Sequence, residues 1–133
     1  MKRYSHRLRR VTHVDDEPDI RAITELACTT IGGFELDSCA SGEEALERIP
    51  RFRPDLILLD VMMPGMDGIE TFRRLRMIGK VADTPIVFLT ARIANGDADT
   101  YMKLGAADVI GKPFDPLKLP EQITEIWKRC CVR

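Results

Sequence analysis

Short apolar runs alternate along the chain with longer segments whose apolar residues recur at helical spacing. The short runs have the length of strands buried on both faces and are bounded by turn residues. They predict strands over 11–14, 34–39, 56–59, 85–90 and 108–111. The intervening segments predict helices over 18–30, 41–49, 69–76, 97–104 and 115–127. Strand and helix therefore alternate five times.

Local signals mark the ends of the first two helices. Pro18 suits the first turn of a helix, and two glycines at 32–33 end the segment it opens. Ser41 and Glu44 have the spacing of a capping box, which opens the second helix. Pro50 and Pro54 are expected to end it, because proline cannot donate a backbone hydrogen bond.

The last two helices differ in strength. Asp97 and Asp99 are poor helix formers, so we expect a weak and mobile fourth helix. Asp115 is predicted to cap the fifth, which carries apolar residues at helical spacing from Leu119 to Trp127.

Five alternations of strand and helix predict an α/β fold with a parallel sheet, because each crossover returns over a face of the sheet in the right-handed sense. At 133 residues, one domain is expected. We predict three layers, α/β/α, in a doubly wound, flavodoxin-like arrangement with strand order 2-1-3-4-5. Its switch point lies between strands one and three, where such folds gather their chemistry.

Polar residues follow four of the predicted strands. The first strand ends in Asp15 and Asp16, the third in Asp60, the fourth in Thr90, and the fifth runs into Lys112. Carboxylates brought together at one edge repel one another, and a hard cation such as Mg²⁺ relieves that repulsion. A carboxylate nucleophile, a metal, an ammonium and a hydroxyl are the parts that phosphoryl transfer requires.

Composition and charge limit the classes of protein and the cellular locations that fit the sequence. The chain is 44% hydrophobic and 31% charged, as in ordinary globular proteins, and no apolar run approaches membrane-spanning length. The basic amino terminus lacks the apolar segment of a secretory signal, so a cytoplasmic location is predicted.

Residues 1–10 carry no acid and five basic residues: Lys2, Arg3, Arg7, Arg9 and Arg10. We interpret 1–10 as a solvated arm preceding a domain over 11–131, and do not expect nucleic acid as a partner.

The cysteines and histidines predict no further site. The four cysteines fit no metal or redox spacing and are expected to be free thiols: Cys28, Cys39, Cys130 and Cys131. His13 lies within a predicted strand and His6 in the arm, so packing and surface roles are predicted for them.

Four motifs in order carry a family resemblance. They are Asp15-Asp16 after strand one, Asp60-Val-Met-Met-Pro-Gly-Met-Asp-Gly68 after strand three, Thr90-Ala91 after strand four, and Lys112-Pro113-Phe114 after strand five. The chain from 11 to 127 resembles the receiver domains of response regulators in two-component signalling. It is similar to the stand-alone, chemotaxis-regulator-like members, and no output domain is expected after Arg133.

The resemblance implies a phosphoacceptor and a metal site. Asp60 would take a phosphoryl group from a phosphohistidine on a sensor histidine kinase or histidine phosphotransfer protein. Asp16, Asp60 and the main-chain carbonyl of Met62 would bind Mg²⁺ directly, and Asp15 would hold a metal-bound water. The chain would be no enzyme towards other substrates, since it would catalyse only its own phosphorylation and dephosphorylation.

The resemblance also implies how the phosphoryl group is held and read. Lys112 would pair with Asp60 and then with the phosphoryl oxygens, to which the Thr90 hydroxyl and the Ala91 amide would donate. A cis peptide before Pro113 is expected. Activation would swing Thr90 inwards and repack the face of helix four, strand five and helix five.

Two departures from the family modify these expectations. Val109 stands where an inward-turning tyrosine or phenylalanine is common, so helix four is the expected readout. Met62 and Arg92 occupy positions that flank the approach of hydrolytic water. They predict a phosphoryl group that outlasts those of the shortest-lived members, and a half-life of seconds would contradict this.

Of three alternative functions for the same pattern, the sequence argues against two and leaves one open. A phosphatase with an aspartate nucleophile usually has a second aspartate two residues later, where this chain has Met62. A nucleotide or flavin module would need a glycine-rich turn after strand one, where this chain is acidic. A degenerate receiver that acts as a phosphorylation-independent binding scaffold stays open. For an active receiver, both partner binding and onward phosphotransfer stay open as outputs.

Overall fold

The computed structural model describes residues 7–91 and 97–131, with the side chain of Cys131 excluded. Its strands are β1 (Arg10–Val14), β2 (Glu35–Cys39), β3 (Leu56–Asp60), β4 (Ile86–Thr90) and β5 (Asp108–Gly111). Its helices are α1 (Pro18–Glu25), α2 (Gly42–Phe52), α3 (Gly68–Leu75), α4 (Asp97–Leu104) and α5 (Leu119–Cys131). The strands form one parallel sheet in the order β2-β1-β3-β4-β5, which confirms the predicted fold.

The central strand β3 is buried along its whole length. Its side chains alternate between two apolar cores, because successive residues of a strand point to opposite faces. Ile57 and Leu59 enter the core under α2, α3 and α4, while Leu56 and Leu58 enter the core under α5 and the π-helical segment Leu26–Ile31 that follows α1. This burial on both faces explains why the sequence of β3 is uniformly apolar until Asp60.

Three aromatic rings link α3, β4 and α4 inside the first of these cores. The Phe88 ring centroid lies 5.5 Å from that of Phe72 and 5.2 Å from that of Tyr101. Val109 packs against the same core from β5. In this core, α4 therefore supplies an aromatic ring, and β5 contributes an aliphatic side chain.

Two helix ends differ from the predictions. The first helix is α-helical only to Glu25 and continues as a π-helical segment, Leu26–Ile31, before the predicted glycine stop. The prediction that Pro50 ends the second helix was wrong, because α2 continues to Phe52. Pro50 removes one hydrogen bond, whereas Pro54 disfavours the helical conformation of Arg53, which is left-handed with φ 55°.

The predicted cap of the last helix belongs instead to a turn that precedes it. The Asp115 carboxylate accepts a hydrogen bond from the Leu117 amide at 2.9 Å, and α5 begins only at Leu119. The capping box of α2 is confirmed, since Ser41 Oγ accepts from the Glu44 amide. The Lys112-Pro113 peptide is cis, as expected.

The cysteine and histidine predictions hold where they can be compared. Cys28 and Cys39 are buried free thiols and Cys130 is an exposed one. His13 is fully buried in β1, while His6 lies outside the described residues. Among the described residues, no helix is both long and apolar enough to cross a membrane.

Gly68 lies so close to the end of β3 that a side chain cannot fit. A Cβ added there would lie 2.2 Å from the Asp60 carbonyl oxygen and 2.7 Å from the Val61 Cα. We therefore expect Gly68→Ala to lower the free energy of unfolding by about 1–3 kcal/mol, as overpacking does. Urea denaturation measures this.

The matched control is Gly79→Ala, because a Cβ at Gly79 would meet nothing within 4 Å. Its effect should stay within about 0.5 kcal/mol. Equal stability of the Gly68 and Gly79 variants would contradict the close approach.

Candidate functional site

The carboxyl ends of four strands meet at one edge of the sheet. Asp15 follows β1, Asp60 and Thr90 are the last residues of β3 and β4, and Lys112 follows β5. Backbone pairing continues past the strand ends, since the Asp15 amide donates to Cys39 O at 3.0 Å and the Lys112 amide donates to Thr90 O at 2.9 Å. These bonds extend the backbone pairing to Asp15 and Lys112, so both residues lie at the same edge of the sheet as Asp60 and Thr90.

Three carboxylates form a compact cluster at this edge. Asp15, Asp16 and Asp60 each present a ligand atom, and these atoms all lie within 4.8 Å of one another. Asp15 and Asp60 are buried, while Asp16 is partly exposed. The predicted convergence of the three aspartates is therefore observed.

Lys112 bridges the two buried carboxylates. Its Nζ lies 2.9 Å from Asp15 Oδ2 and 3.1 Å from Asp60 Oδ1. Burial alone would lower the pKa of Lys112, but the two carboxylates raise it. The sequence predicted the contact with Asp60 and missed the one with Asp15.

The two carboxylates that share Lys112 differ in pKa. Burial and the charge of Asp15 raise the pKa of Asp60 to about 6. Burial would likewise raise the pKa of Asp15, but the neighbouring His13 ring, the Glu17 amide and the Lys112 ammonium lower it. Asp15 therefore stays ionised, and Asp60 carries the strain of like charge.

His13 and Arg21 both contact Asp15, and the sequence did not predict this role for either residue. His13 Nε2 lies 3.7 Å from Asp15 Oδ2, and burial lowers the pKa of the ring, which is therefore neutral at pH 7. The strand period of two, which places residues 13 and 15 on one face, is a signal that could have found it. Arg21 Nη1 donates to the Asp15 carbonyl at 2.7 Å from α1.

The remaining predicted residues lie at or just after the carboxyl ends of β3 and β4. Thr90 is buried at the end of β4 and Ala91, just after it, is exposed. The Met62 side chain is 62% exposed, beside the buried Met63. Arg92 lies outside the described residues, so the predicted phosphoryl lifetime stays a prediction.

The donor set suits a hard divalent cation. Mg²⁺ takes oxygen ligands and is usually held by one or two carboxylates, with waters or phosphate oxygens completing its shell. The three aspartates supply such oxygens, and their mutual repulsion gives a cation a favourable place. A phosphoryl group would add oxygens beside the Lys112 ammonium.

Comparison with known proteins supports the resemblance to receiver domains. The family model described as "Response regulator receiver domain" matches residues 11–124. The chain belongs to this family. The receiver shares 42% identity with "Probable transcriptional regulator ycf27" of Porphyridium aerugineum over 87% of the chain and 47% of that relative. It shares 34% with "Response regulator Rre1" of Synechocystis over 87% of the chain and 50% of the relative.

Solved structures are similar as well. The chemotaxis protein CheY4 of Vibrio cholerae superposes with a TM-score of 0.83 and 31% identity, covering 90% of the receiver and 98% of that chain. A putative response regulator from Chloroflexus aurantiacus gives 0.82 and 32%, covering 92% and 100%. The receiver spans about half the length of the curated relatives it matches.

The raised pKa of Asp60 predicts a pH-dependent stability. Because the pKa of Asp60 is raised to about 6 in the folded protein, above the ordinary value of an aspartate, ionised Asp60 destabilises the metal-free fold above pH 6. Asp60→Asn should raise the free energy of unfolding at pH 7 by roughly 1–3 kcal/mol. The gain should shrink as the pH falls from 6 towards 4, where wild-type Asp60 is protonated as well.

Urea denaturation in EDTA across this range checks the prediction. Asp83→Asn is the control, because Asp83 is an exposed aspartate outside the cluster. An Asp60→Asn variant no more stable than wild type at pH 7 would contradict the raised pKa.

Proposed function

We propose that Asp60 accepts a phosphoryl group from a phosphohistidine of a sensor histidine kinase or histidine phosphotransfer protein. The observation that carries this proposal is the buried Asp60 carboxylate, held by Lys112 within a cluster of oxygen ligands at the end of β3. Membership in the receiver family supports it.

Each residue of the site would have its own role in the phosphoryl transfer. Ionised Asp60 would form the new P–O bond as the P–N bond of the phosphohistidine breaks, and the electron pair would leave with the imidazole. Lys112, which already contacts Asp60 Oδ1, would then pair with the phosphoryl oxygens. The Thr90 hydroxyl and the Ala91 amide would donate to the same oxygens.

Mg²⁺ would be held by Asp16, Asp60 and the Met62 main-chain carbonyl, with Asp15 bound through water. When bound, it supplies positive charge that neutralises the phosphoryl oxygens. Asp15 would keep its contact with Lys112, because its pKa is lowered and it remains a carboxylate. The ammonium is thereby positioned for the incoming group.

The output would be a change of state in the receiver, since the only reactions it would catalyse are its own phosphorylation and dephosphorylation. We propose that the state is read by another protein or passed on by further phosphotransfer. Relatives named transcriptional regulators are about twice as long as the matched region, so a link to gene control is one form that the output could take. A cytoplasmic location and a receiver domain over 11–131 stay predictions of the sequence.

Metal binding should depend on Asp16. Isothermal titration of the receiver with Mg²⁺ at pH 7.5 should show one site, and Asp16→Asn should weaken it by at least about tenfold, since a direct carboxylate ligand is lost. Asp19→Asn is the matched control, because Asp19 is an exposed aspartate in the first turn of α1. Equal affinities for the two variants would refute the metal assignment.

Phosphorylation itself is tested by intact-protein mass after incubation with acetyl phosphate. We expect one phosphoryl adduct on the wild type with Mg²⁺, and none in EDTA or on Asp60→Asn. Asp67→Asn, which changes the exposed cap of α3 a few residues away, should still be modified.

Absence of an adduct on folded, Mg²⁺-binding wild type, with acetyl phosphate and with a phosphorylated histidine phosphotransfer protein alike, would favour the scaffold reading. An adduct that persists on Asp60→Asn would place the phosphoacceptor elsewhere.

A further inference from the structure

Exposed arginines gather at the edge of the sheet opposite the aspartate cluster. Two segments supply them, the residues leading into β1 and the end of α2. We call this surface the arginine face, and it consists of Arg7, Arg9, Arg10, Arg51 and Arg53, all of which are exposed. Its position follows from the parallel sheet, since β1 begins where α2 returns to the start of β3.

A buried carboxylate fixes the first segment. Asp55 Oδ2 accepts hydrogen bonds from the backbone amides of Arg9 and Arg10, both at 2.9 Å, and the Asp55 amide donates to Arg10 O at 2.8 Å. The sequence predicts a solvated arm over residues 1–10. The backbone of Arg9 and Arg10 is instead held against the start of β3.

A second set of contacts joins this segment to α2. Arg10 Nη1 donates to the Phe52 carbonyl at 2.9 Å, and its guanidinium lies 5.6 Å from the centroid of the Phe52 ring. Arg51 and Arg53 flank Phe52 in sequence. The contact of Arg10 with Phe52 therefore brings the two arginine-bearing segments together at the amino-terminal end of the sheet.

Most of this positive charge is not paired with a carboxylate in the part of the chain that the structure describes. Glu35 pairs with Arg10 at 3.6 Å, and Asp37 pairs with Arg48 of α2. Within the described ranges 7–91 and 97–131, no ion pair joins a carboxylate to the other four members of the face: Arg7, Arg9, Arg51 and Arg53. Four guanidinium groups are thus available to an external anion.

The face is charged and has little exposed apolar area. Leu8 is only 8% exposed, and Phe52 is partly covered by Arg10. A protein partner would require an apolar centre to the interface, and stable attachment to a membrane would require an inserted apolar group. The planar guanidinium fork binds phosphate through paired hydrogen bonds, and a phosphate backbone needs only this kind of contact.

We propose that the arginine face binds the phosphate backbone of double-stranded nucleic acid without base specificity. The proposal goes beyond phosphorylation and does not depend on it. The five residues of β3 separate the face from Asp60 by roughly 16 Å, which is about two Debye lengths at physiological salt. The aspartate cluster therefore repels the polyanion only weakly, and Asp60 stays open to its phosphodonor.

Fluorescence anisotropy with a fluorescein-labelled, mixed-sequence DNA duplex tests the proposal on the full chain. We expect affinity to fall with salt, with a slope of log affinity against log salt of about −3 to −4, since each phosphate neutralised contributes about −0.9. The triple variant Arg9→Gln, Arg51→Gln, Arg53→Gln should bind at least about tenfold more weakly and show a shallower slope. It keeps the backbone contacts of Asp55, and urea denaturation confirms its folding.

The matched control removes three charges elsewhere. Lys103→Gln, Lys118→Gln and Lys128→Gln change exposed residues on α4, in the turn before α5 and on α5, and duplex binding should change less than twofold. Equal losses in the two triple variants would show that net charge alone drives binding and would overturn the proposal. So would unchanged binding by the arginine variant, or no binding of the duplex at 50 mM salt. Preferential binding to phosphatidylserine vesicles or polyglutamate over the duplex would assign the face to another partner and also overturn it.

Discussion

One ammonium shared between two buried carboxylates organises the functional edge of this receiver. Lys112 contacts both Asp15 and Asp60, although the three residues lie at the ends of three different strands. The contact requires β1, β3 and β5 to keep their register, with β4 between the last two. Every crossover helix that fixes this order therefore contributes to the site. The arrangement is poorly neutralised, because Asp16 adds a third carboxylate to the same cluster.

The environment assigns different roles to carboxylates that are chemically identical. Asp15 is surrounded by His13, the Glu17 amide and Lys112, which keep it ionised. Asp60 is left with a pKa of about 6, raised by burial and by the charge of Asp15. A bound cation or a phosphoryl group that engages Lys112 would relieve this repulsion. The same crowding that we expect to destabilise the unliganded fold thus favours the ligands that the proposed function requires.

Much of the fold and the cluster could be predicted from local pattern. The apolar strands, the capping box at Ser41 and the acidic residues at strand ends are consistent with the structure, because each is a short-range signal. Features set by tertiary contact could not be predicted. Pro50 lies within α2 because the fold tolerates one missing hydrogen bond, and the backbone of Arg9 and Arg10 is held by Asp55, more than 40 residues away. The second partner of Lys112 belongs to this class as well.

The charge crowding at Asp60 is tested most directly by ¹³C NMR of the aspartate carboxyl carbons. In the metal-free protein, Asp60 should titrate with an apparent pKa of about 6, and saturating Mg²⁺ should lower it. The assignment comes from Asp60→Asn, whose spectrum should lack that resonance. An Asp60 that titrates near its ordinary value and does not respond to Mg²⁺ would contradict the account, because the cluster would then be neither strained nor a metal site.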